Sequence, residues 1–297
     1  MDDADYSSGS CHVSVMPDEI VEWVAGCNPK VVIDGTFGGG GHSRRMIDAI
    51  DSVELVIGLD RDPAVLKRVE QESVDRLSVF LASYEQAAKA LEVCEVDRCD
   101  AMVLDLGLSS DQLADRERGF SFQFDGPLDL RFDPENGIPA SEWLARQSEK
   151  EIADAIYQFG EERFSRRIAR EIVAAAKRRE HVRTVQQLAD ICRRCVPRSK
   201  NHDIHPATRT FQALRIVVND ELGILTRTLS AAPDWLSQGG RMVVISFHSL
   251  EDRIVKQAFR DDDRWNVLTK KPLRPTDAET AANPRARSAK LRIAERC

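Results

Sequence analysis

Apolar residues fall into two rhythms along the chain. Short β-branched or aliphatic runs occur at Val31-Val32-Ile33, Leu55-Val56-Ile57-Gly58-Leu59, Leu77-Ser78-Val79-Phe80-Leu81 and Ala101-Met102-Val103-Leu104. Helix-like stretches separate them over 43–50, 63–75 and 85–93. Asp62-Pro63 opens the second stretch with an N-cap and a proline at the first helical position, where no N–H is required. Strands alternating with helices at this spacing predict a parallel sheet with crossover helices.

The rhythm then breaks. Residues 115–140 are rich in Gly, Pro, Phe and Asp and predict an ordered irregular loop. From 141 to about 196 the pattern is helical, over 141–144, 151–159, 162–177 and 184–195, with Thr184 as an N-cap. A further long helix is predicted over 208–231. Strand character returns at Arg241-Met242-Val243-Val244-Ile245-Ser246, after which Ser249 is expected to cap a helix. Two short strands are expected near 266–269 and 289–294. The simplest architecture is a doubly wound α/β sheet interrupted after its fourth strand by a helical insertion. The sheet unit would hold 1–113 and 206–297, and the loop and insertion 114–205.

Length and composition agree with this picture: 297 residues with 42% hydrophobic and 31% charged content suit a soluble α/β protein of one or two units. No apolar run approaches the ~18 residues of a membrane span. The acidic start Met1-Asp2-Asp3-Ala4-Asp5 lacks the basic and apolar regions of a signal peptide. Seven cysteines, an odd number without a disulfide-like framework, fit a reducing cytosol. A net charge of −7 would argue against a nucleic-acid partner if it were evenly spread. It is not. Residues 1–62 hold 12 acidic and 4 basic residues, whereas 163–215 hold 14 basic and 4 acidic. Residues 264–297 add 9 basic against 3 acidic. Two cationic segments on an acidic body favour an anionic macromolecular substrate over a set of balanced helix faces.

The first strand runs into a glycine-rich turn, Asp34-Gly35-Thr36-Phe37-Gly38-Gly39-Gly40-Gly41-His42-Ser43. Such a turn lets a ligand approach the main chain closely. Asp60 ends the second strand 22 residues after Gly38, where an acid can accept both ribose hydroxyls of an adenine nucleotide. A P-loop needs Lys after its last glycine, and here His42 follows. Asp34 and Asp105, at the ends of strands one and four, oppose a pyrophosphate and favour a cationic cofactor such as S-adenosylmethionine. Asp34 can equally serve as a turn-forming residue before Gly35.

Longer motifs then carry a resemblance. Leu104-Asp105-Leu106-Gly107-Leu108-Ser109-Ser110, Arg118-Gly119-Phe120-Ser121-Phe122, Gly160-Glu161-Glu162-Arg163, His205-Pro206-Ala207-Thr208-Arg209-Thr210-Phe211-Gln212-Ala213, Ser246-Phe247-His248-Ser249-Leu250-Glu251-Asp252-Arg253 and Asn283-Pro284-Arg285-Ala286-Arg287-Ser288 join the glycine turn in resembling the MraW-type bacterial methyltransferases. The motifs span nearly the whole chain. The resemblance implies a Rossmann-like S-adenosylmethionine methyltransferase sheet with a helical insertion for RNA. It implies methyl transfer to N4 of a cytosine in the decoding region of 16S ribosomal RNA, a cytoplasmic location and no membrane. Whether free rRNA or the assembled small subunit is the substrate stays open, as does a homodimer. Gly40, Gly41 and His42 match the cofactor loop, Asp60 the ribose acid, Tyr84 the ring near adenine, and Asp105 and Gln112 further contacts; Asp34 and Gly38, from the same turn, join them as cofactor-binding candidates. Asp111 precedes Gln112 where a proline is expected.

Transfer to an exocyclic amine needs alignment and acceptors for the amine protons rather than a strong base. Asp105 is the first choice for the group beside the reaction, and His248, after strand five, the second; each also has a purely structural or cofactor role open to it. No cysteine sits in these edge loops, which disfavours the thiol route of ring methylation. Phe120, Phe122 and Phe124 beside Arg116, Arg118 and Arg131 could present an unstacked base, or plug the space under the loop. Arg163, Arg166, Arg167, Arg170, Arg209, Arg285 and Arg287 are phosphate-contact candidates. Cys192-x2-Cys195 with His202-x2-His205 has zinc-type ligands, but the gap between pairs is short, Pro197 intervenes, and no metal is assigned. The competing readings are a DNA amino-methyltransferase, which would carry an Asp/Asn-Pro-Pro-aromatic motif in place of Asp105-Leu106-Gly107-Leu108, and a non-catalytic RNA-binding factor.

Overall fold

The computed structural model describes residues 14–69, 74–122, 124–197 and 205–297. Seven strands form one sheet: β1 Val31–Asp34, β2 Leu55–Asp60, β3 Leu77–Leu81, β4 Cys99–Asp105, β5 Leu236–Ser246, β6 Trp265–Val267 and β7 Lys290–Arg296. Their order is β3-β2-β1-β4-β5-β7-β6. Strands β1 to β5 pair in parallel, and β7 runs antiparallel to both of its neighbours. The helices of the sheet unit are α1 Pro17–Ala25, α2 Gly41–Ala49, α3 Pro63–Val69, α4 Ala87–Val93 and α5 Ser110–Ala114. The insertion carries α6 Ala140–Arg146, α7 Glu149–Gly160, α8 Ser165–Lys177, α9 Val185–Cys195 and α10 Thr208–Asn219. The chain returns through α11 Glu221–Trp235, α12 Ser249–Asp261 and α13 Asp277–Ala282.

Uninterrupted apolar runs make these strands because a parallel sheet is covered on both faces. Successive residues point to opposite faces, so each run feeds two cores. Ile33, Ile57, Leu104 and Val244 pack on one side with Leu91 of α4, Leu225 and Leu229 of α11 and Phe259 of α12. Val32, Val56, Val103 and Val243 pack on the other with Ile20 and Val24 of α1 and Met46 of α2. A third core runs from Phe120 to Leu214 and includes Ile152, Ile168, Ile172 and Leu188. Because Phe211 and Leu214 of α10 belong to it, the insertion's packing reaches past residue 205.

The predicted doubly wound sheet with a helical insertion after strand four is therefore the fold that forms. Thr184 caps α9, its hydroxyl accepting from the Gln187 N–H at 3.4 Å. Two local expectations are corrected. The helix predicted over 208–231 is two helices, broken where Asp220 takes a φ of 51°, in the left-handed region that Asp enters more readily than most residues. The cap of α12 is His248 rather than Ser249, with Nδ1 3.4 Å from the Glu251 N–H. Among the described residues no helix is long and apolar enough to cross a membrane.

Candidate active site

A cavity of about 450 Å³ opens at the carboxyl ends of β1, β2, β4 and β5, where ligands bind in parallel α/β sheets. One wall comes from the strand ends and the turns after them. The other comes from the 118–132 loop and α10.

On the first wall the turn after β1 lies close to its neighbours. A Cβ at Gly35 would stand 2.5 Å from Leu104 Cδ2 and 2.8 Å from Tyr84 Cβ, so only glycine fits. Gly38 has a φ of 54° and turns its N–H onto Asp60 Oδ2 at 2.8 Å. Asp60 Oδ1 accepts the Asp62 N–H at 2.9 Å. Held this way, Asp60 faces the cavity as a fixed acceptor; burial pushes its carboxyl up to about 6. Tyr84, in the single turn after β3, and Gln112 of α5 line the same wall. Gln112 closes a capping box with Ser109 and donates to Asp62 at 3.4 Å. Asp111, beside it, pairs with Arg68 of α3.

Asp105 ends β4 and lines the cavity, its N–H donated to the Thr36 hydroxyl at 2.7 Å. His42 Nε2 lies 3.2 Å from Asp105 Oδ2. Among the described residues, Asp105 Oδ1 and His42 Nδ1 have no hydrogen-bond partner. Burial opposes the charge on His42, but the Asp105 hydrogen bond and the nearby Asp34 and Glu279 carboxylates raise its pKa above the ordinary value. Asp34, Gly40, Gly41 and His42 stand behind the cavity wall rather than on it. Asp34 Oδ2 accepts from Ser43 Oγ at 2.6 Å, and burial raises this carboxyl despite His42 and Ser43. Gly40 caps α2 at a φ of 72°.

The opposite wall is aromatic. Phe120, Phe122, Phe132 and Phe211 all line the cavity. Phe120 and Phe132 stack at 5.7 Å, and Phe122 stacks on His205 at 4.5 Å. Phe124 is exposed and carries the Arg116 guanidinium 4.3 Å from its ring centre. Arg118 is buried, donating to Asp62 and to two backbone carbonyls. Arg163, Arg166, Arg167 and Arg170 are exposed around the start of α8, and Arg209 is exposed with its Nη1 on the Glu161 carbonyl at 3.1 Å. Arg285 is exposed and lines the cavity mouth; Arg287 is exposed nearby.

His248 also lines the cavity, yet its nitrogens face inward. Nδ1 meets the Glu251 N–H, and the buried Nε2 lies 3.0 Å from Glu251 Oε1. Burial opposes the charge on Glu251, but His248, Arg215 and the Phe247 N–H hold its carboxyl below the ordinary range. Arg215 pairs with Glu221 through two hydrogen bonds of 2.8 and 2.9 Å. Sequence reading missed Thr36, Arg61, Arg215, Glu221 and Glu251 as cavity residues. Glu251 had a signal, since an acid three residues after a cap closes a capping box.

Cys192 and Cys195 are buried in α9, and burial pushes the Cys192 thiol up to about 12. His205 lies against Phe122, and His202 is outside the described residues. Among the described residues, no cluster of three or more His, Cys, Asp or Glu side chains could hold a metal.

Comparison with known proteins gives one consistent result. Residues 9–297 match the MraW methylase family. A "Ribosomal RNA small subunit methyltransferase H" from Rhodopirellula baltica is 64% identical over 96% of this chain and 91% of its own length. Proteins of the same name from Synechococcus elongatus and Deinococcus radiodurans are 46% and 47% identical, over 99% and 96% of this chain and 97% and 89% of their own lengths.

Proposed function

The chain belongs to the MraW methylase family, and on that premise we propose that it transfers methyl from S-adenosylmethionine to N4 of a cytosine in the decoding region of 16S ribosomal RNA. It is an rRNA small-subunit methyltransferase. The observation that carries the finer reading is Asp105. It ends β4 and lines the same cavity as the ribose-type acceptor Asp60 and the phenylalanines of the 118–132 loop, and among the described residues its buried Oδ1 has no partner.

These residues fit an adenosyl cofactor with a cationic end. Asp60 would accept the ribose hydroxyls, Tyr84 would lie against adenine, and Gln112 would close that end. Gly38 would bring its main chain against the cofactor, while Asp34, Gly40, Gly41 and His42 shape the loop from behind. When bound, S-adenosylmethionine supplies an electrophilic methyl group on a positive sulfur. The Asp105 oxygen accepts an N–H of the attacking amine, which favours the out-of-plane lone pair that transfer requires. Once methyl is attached the amine proton is acidic, and Asp105 is the group in place to receive it. His248 caps α12 through Nδ1 on the Glu251 N–H and lines the cavity, its buried Nε2 3.0 Å from Glu251 Oε1 without a hydrogen bond among the described residues.

On the opposite wall Phe120 and its neighbours would receive the unstacked base, while Arg163, Arg166, Arg167, Arg209, Arg285 and Arg287 would meet phosphates. The division into a sheet unit for the cofactor and an insertion for RNA belongs to this reading, as do an assembled small subunit as substrate and a cytoplasmic location. Undermethylated small subunits and free 16S rRNA, each incubated with labelled S-adenosylmethionine and digested to nucleosides, test it. The expected product is N4-methylcytidine, formed from the assembled subunit. Label on a ring carbon, or on another base, would sink the reading.

A further inference from the structure

Arg118 was expected to help present the unstacked base beside Phe120, Phe122 and Phe124, but it is buried in bonds of its own. It is 8% exposed and Asp62, its partner at 3.0 Å, is 4% exposed. Its remaining bonds run to the carbonyls of Arg131, at 3.3 and 2.9 Å, and Phe132, at 2.6 Å. These bonds are part of a closed ring. The Phe132 N–H donates to Asn219 Oδ1 at 2.7 Å, and Asn219 Nδ2 donates to the Leu130 carbonyl at 2.6 Å. Arg61, next to Asp60, donates to the Asn219 carbonyl at 2.8 Å. Asp62, two residues beyond Asp60, gives its N–H to the Asp60 carboxylate. The ring therefore joins the end of β2, both ends of the aromatic loop and the last residue of α10.

Two rings of the aromatic wall, Phe120 and Phe132, sit on this frame. Arg118 lies 5.8 Å from the ring centre of Phe120, and Arg61 lies 5.9 Å from that of Phe132. A buried ion pair adds little net stability compared with an apolar pair of the same shape, but it fixes one arrangement when its hydrogen bonds are all directional. The arrangement fixed here is the distance between the acceptor of one wall and the rings of the other.

Resting on the rRNA methyltransferase reading, we infer that Arg118 is a positioning residue: it sets the substrate-side aromatic wall against the cofactor-side strand end and does not grip a phosphate. Its partner is the carboxylate two residues from the ribose acid, so base and cofactor are placed from one rigid corner. Misplacement of reacting groups by about 1 Å can cost on the order of a hundredfold in rate.

Two variants separate this role from phosphate contact. Arg118→Lys keeps the charge, but one ammonium cannot span Asp62 and two carbonyls. The expected result is a kcat on small subunits lowered about ten- to hundredfold, with cofactor Kd changed less than about threefold. The double variant Asp62→Asn/Arg118→Gln removes both charges and leaves no unpaired buried ion. Its rRNA affinity should fall with salt at the wild-type slope, whereas loss of a phosphate contact flattens that slope by about 0.7 to 0.9. Wild-type kcat in Arg118→Lys, or a flattened slope in the double variant, would overturn the inference. Absence of methyl transfer by the wild-type protein would instead overturn the functional reading beneath it.

Discussion

The two walls of the cavity are held in place by different means. On the side of the strand ends, the Asp60 carboxylate is held by the N–H groups of Gly38 and Asp62, and Asp105 by its main-chain N–H on the Thr36 hydroxyl and by His42 beside Oδ2. On the facing side, rings packed over the insertion core do most of the shaping, and the cations of α8 stand in solvent. Fixed acceptors in a concave pocket suit a small ligand with a few hydroxyl and amine groups. Flat rings beside exposed arginines suit a large polyanion that must present one base. In the proposed reading each wall is specialised, and the Arg118 ring joins them.

Perturbing one wall should therefore leave the other's ligand bound. Asp60→Ala is the largest break expected in binding: cofactor Kd should rise about ten- to a hundredfold, the cost of losing hydrogen bonds to a charged acceptor. rRNA affinity should stay within about twofold, as read by calorimetry for the cofactor and filter binding for the RNA. A matching fall in rRNA affinity would erase the division. Reversing charge at Arg166 and Arg167 together should weaken rRNA binding about tenfold and flatten its salt dependence, with cofactor Kd unchanged.

Acidity sharpens the same contrast. The Asp60 carboxyl, raised to about 6 from an ordinary 3.8, loses its ionised form as pH falls through that value. Cofactor affinity should drop about tenfold between pH 7 and pH 5. Stability moves the opposite way. A raised pKa means the folded state holds this proton more tightly, so the group favours folding below about 3.8 and that contribution is lost as pH rises through about 6. A cofactor-free melting profile and a cofactor titration over the same pH range should therefore diverge. The smallest effect is expected for Tyr84→Leu, which keeps apolar area but removes the ring face, raising cofactor Kd by about threefold to tenfold.

The sheet was legible because its strands are buried on both faces and so appear as apolar runs between turn signals. Asp60 and Asp105 were legible because they end such runs. The α10–α11 break was not, since Asp220 interrupts an otherwise helical pattern with one left-handed residue that Val217 and Ile224 on either side conceal. Nor was the burial of Arg118, because its partners Asp62, Arg131 and Phe132 are near it only after the loop folds back on β2. His248 was read for its imidazole chemistry, and its second role, capping α12 with Nδ1 on the Glu251 N–H, showed only in the structure. Exposed arginines on α8 were the easier part, because helical spacing alone places them on one side.

The most direct test of the two-wall cavity is single-turnover methyl transfer by Asp105→Asn with cofactor and small subunits both saturating. The expected result is both ligands bound within about threefold of wild type and a transfer rate lowered about a hundred- to a thousandfold. A wild-type transfer rate in that variant, or a loss explained wholly by failure to bind one ligand, would contradict the role of Asp105 at the attacking amine.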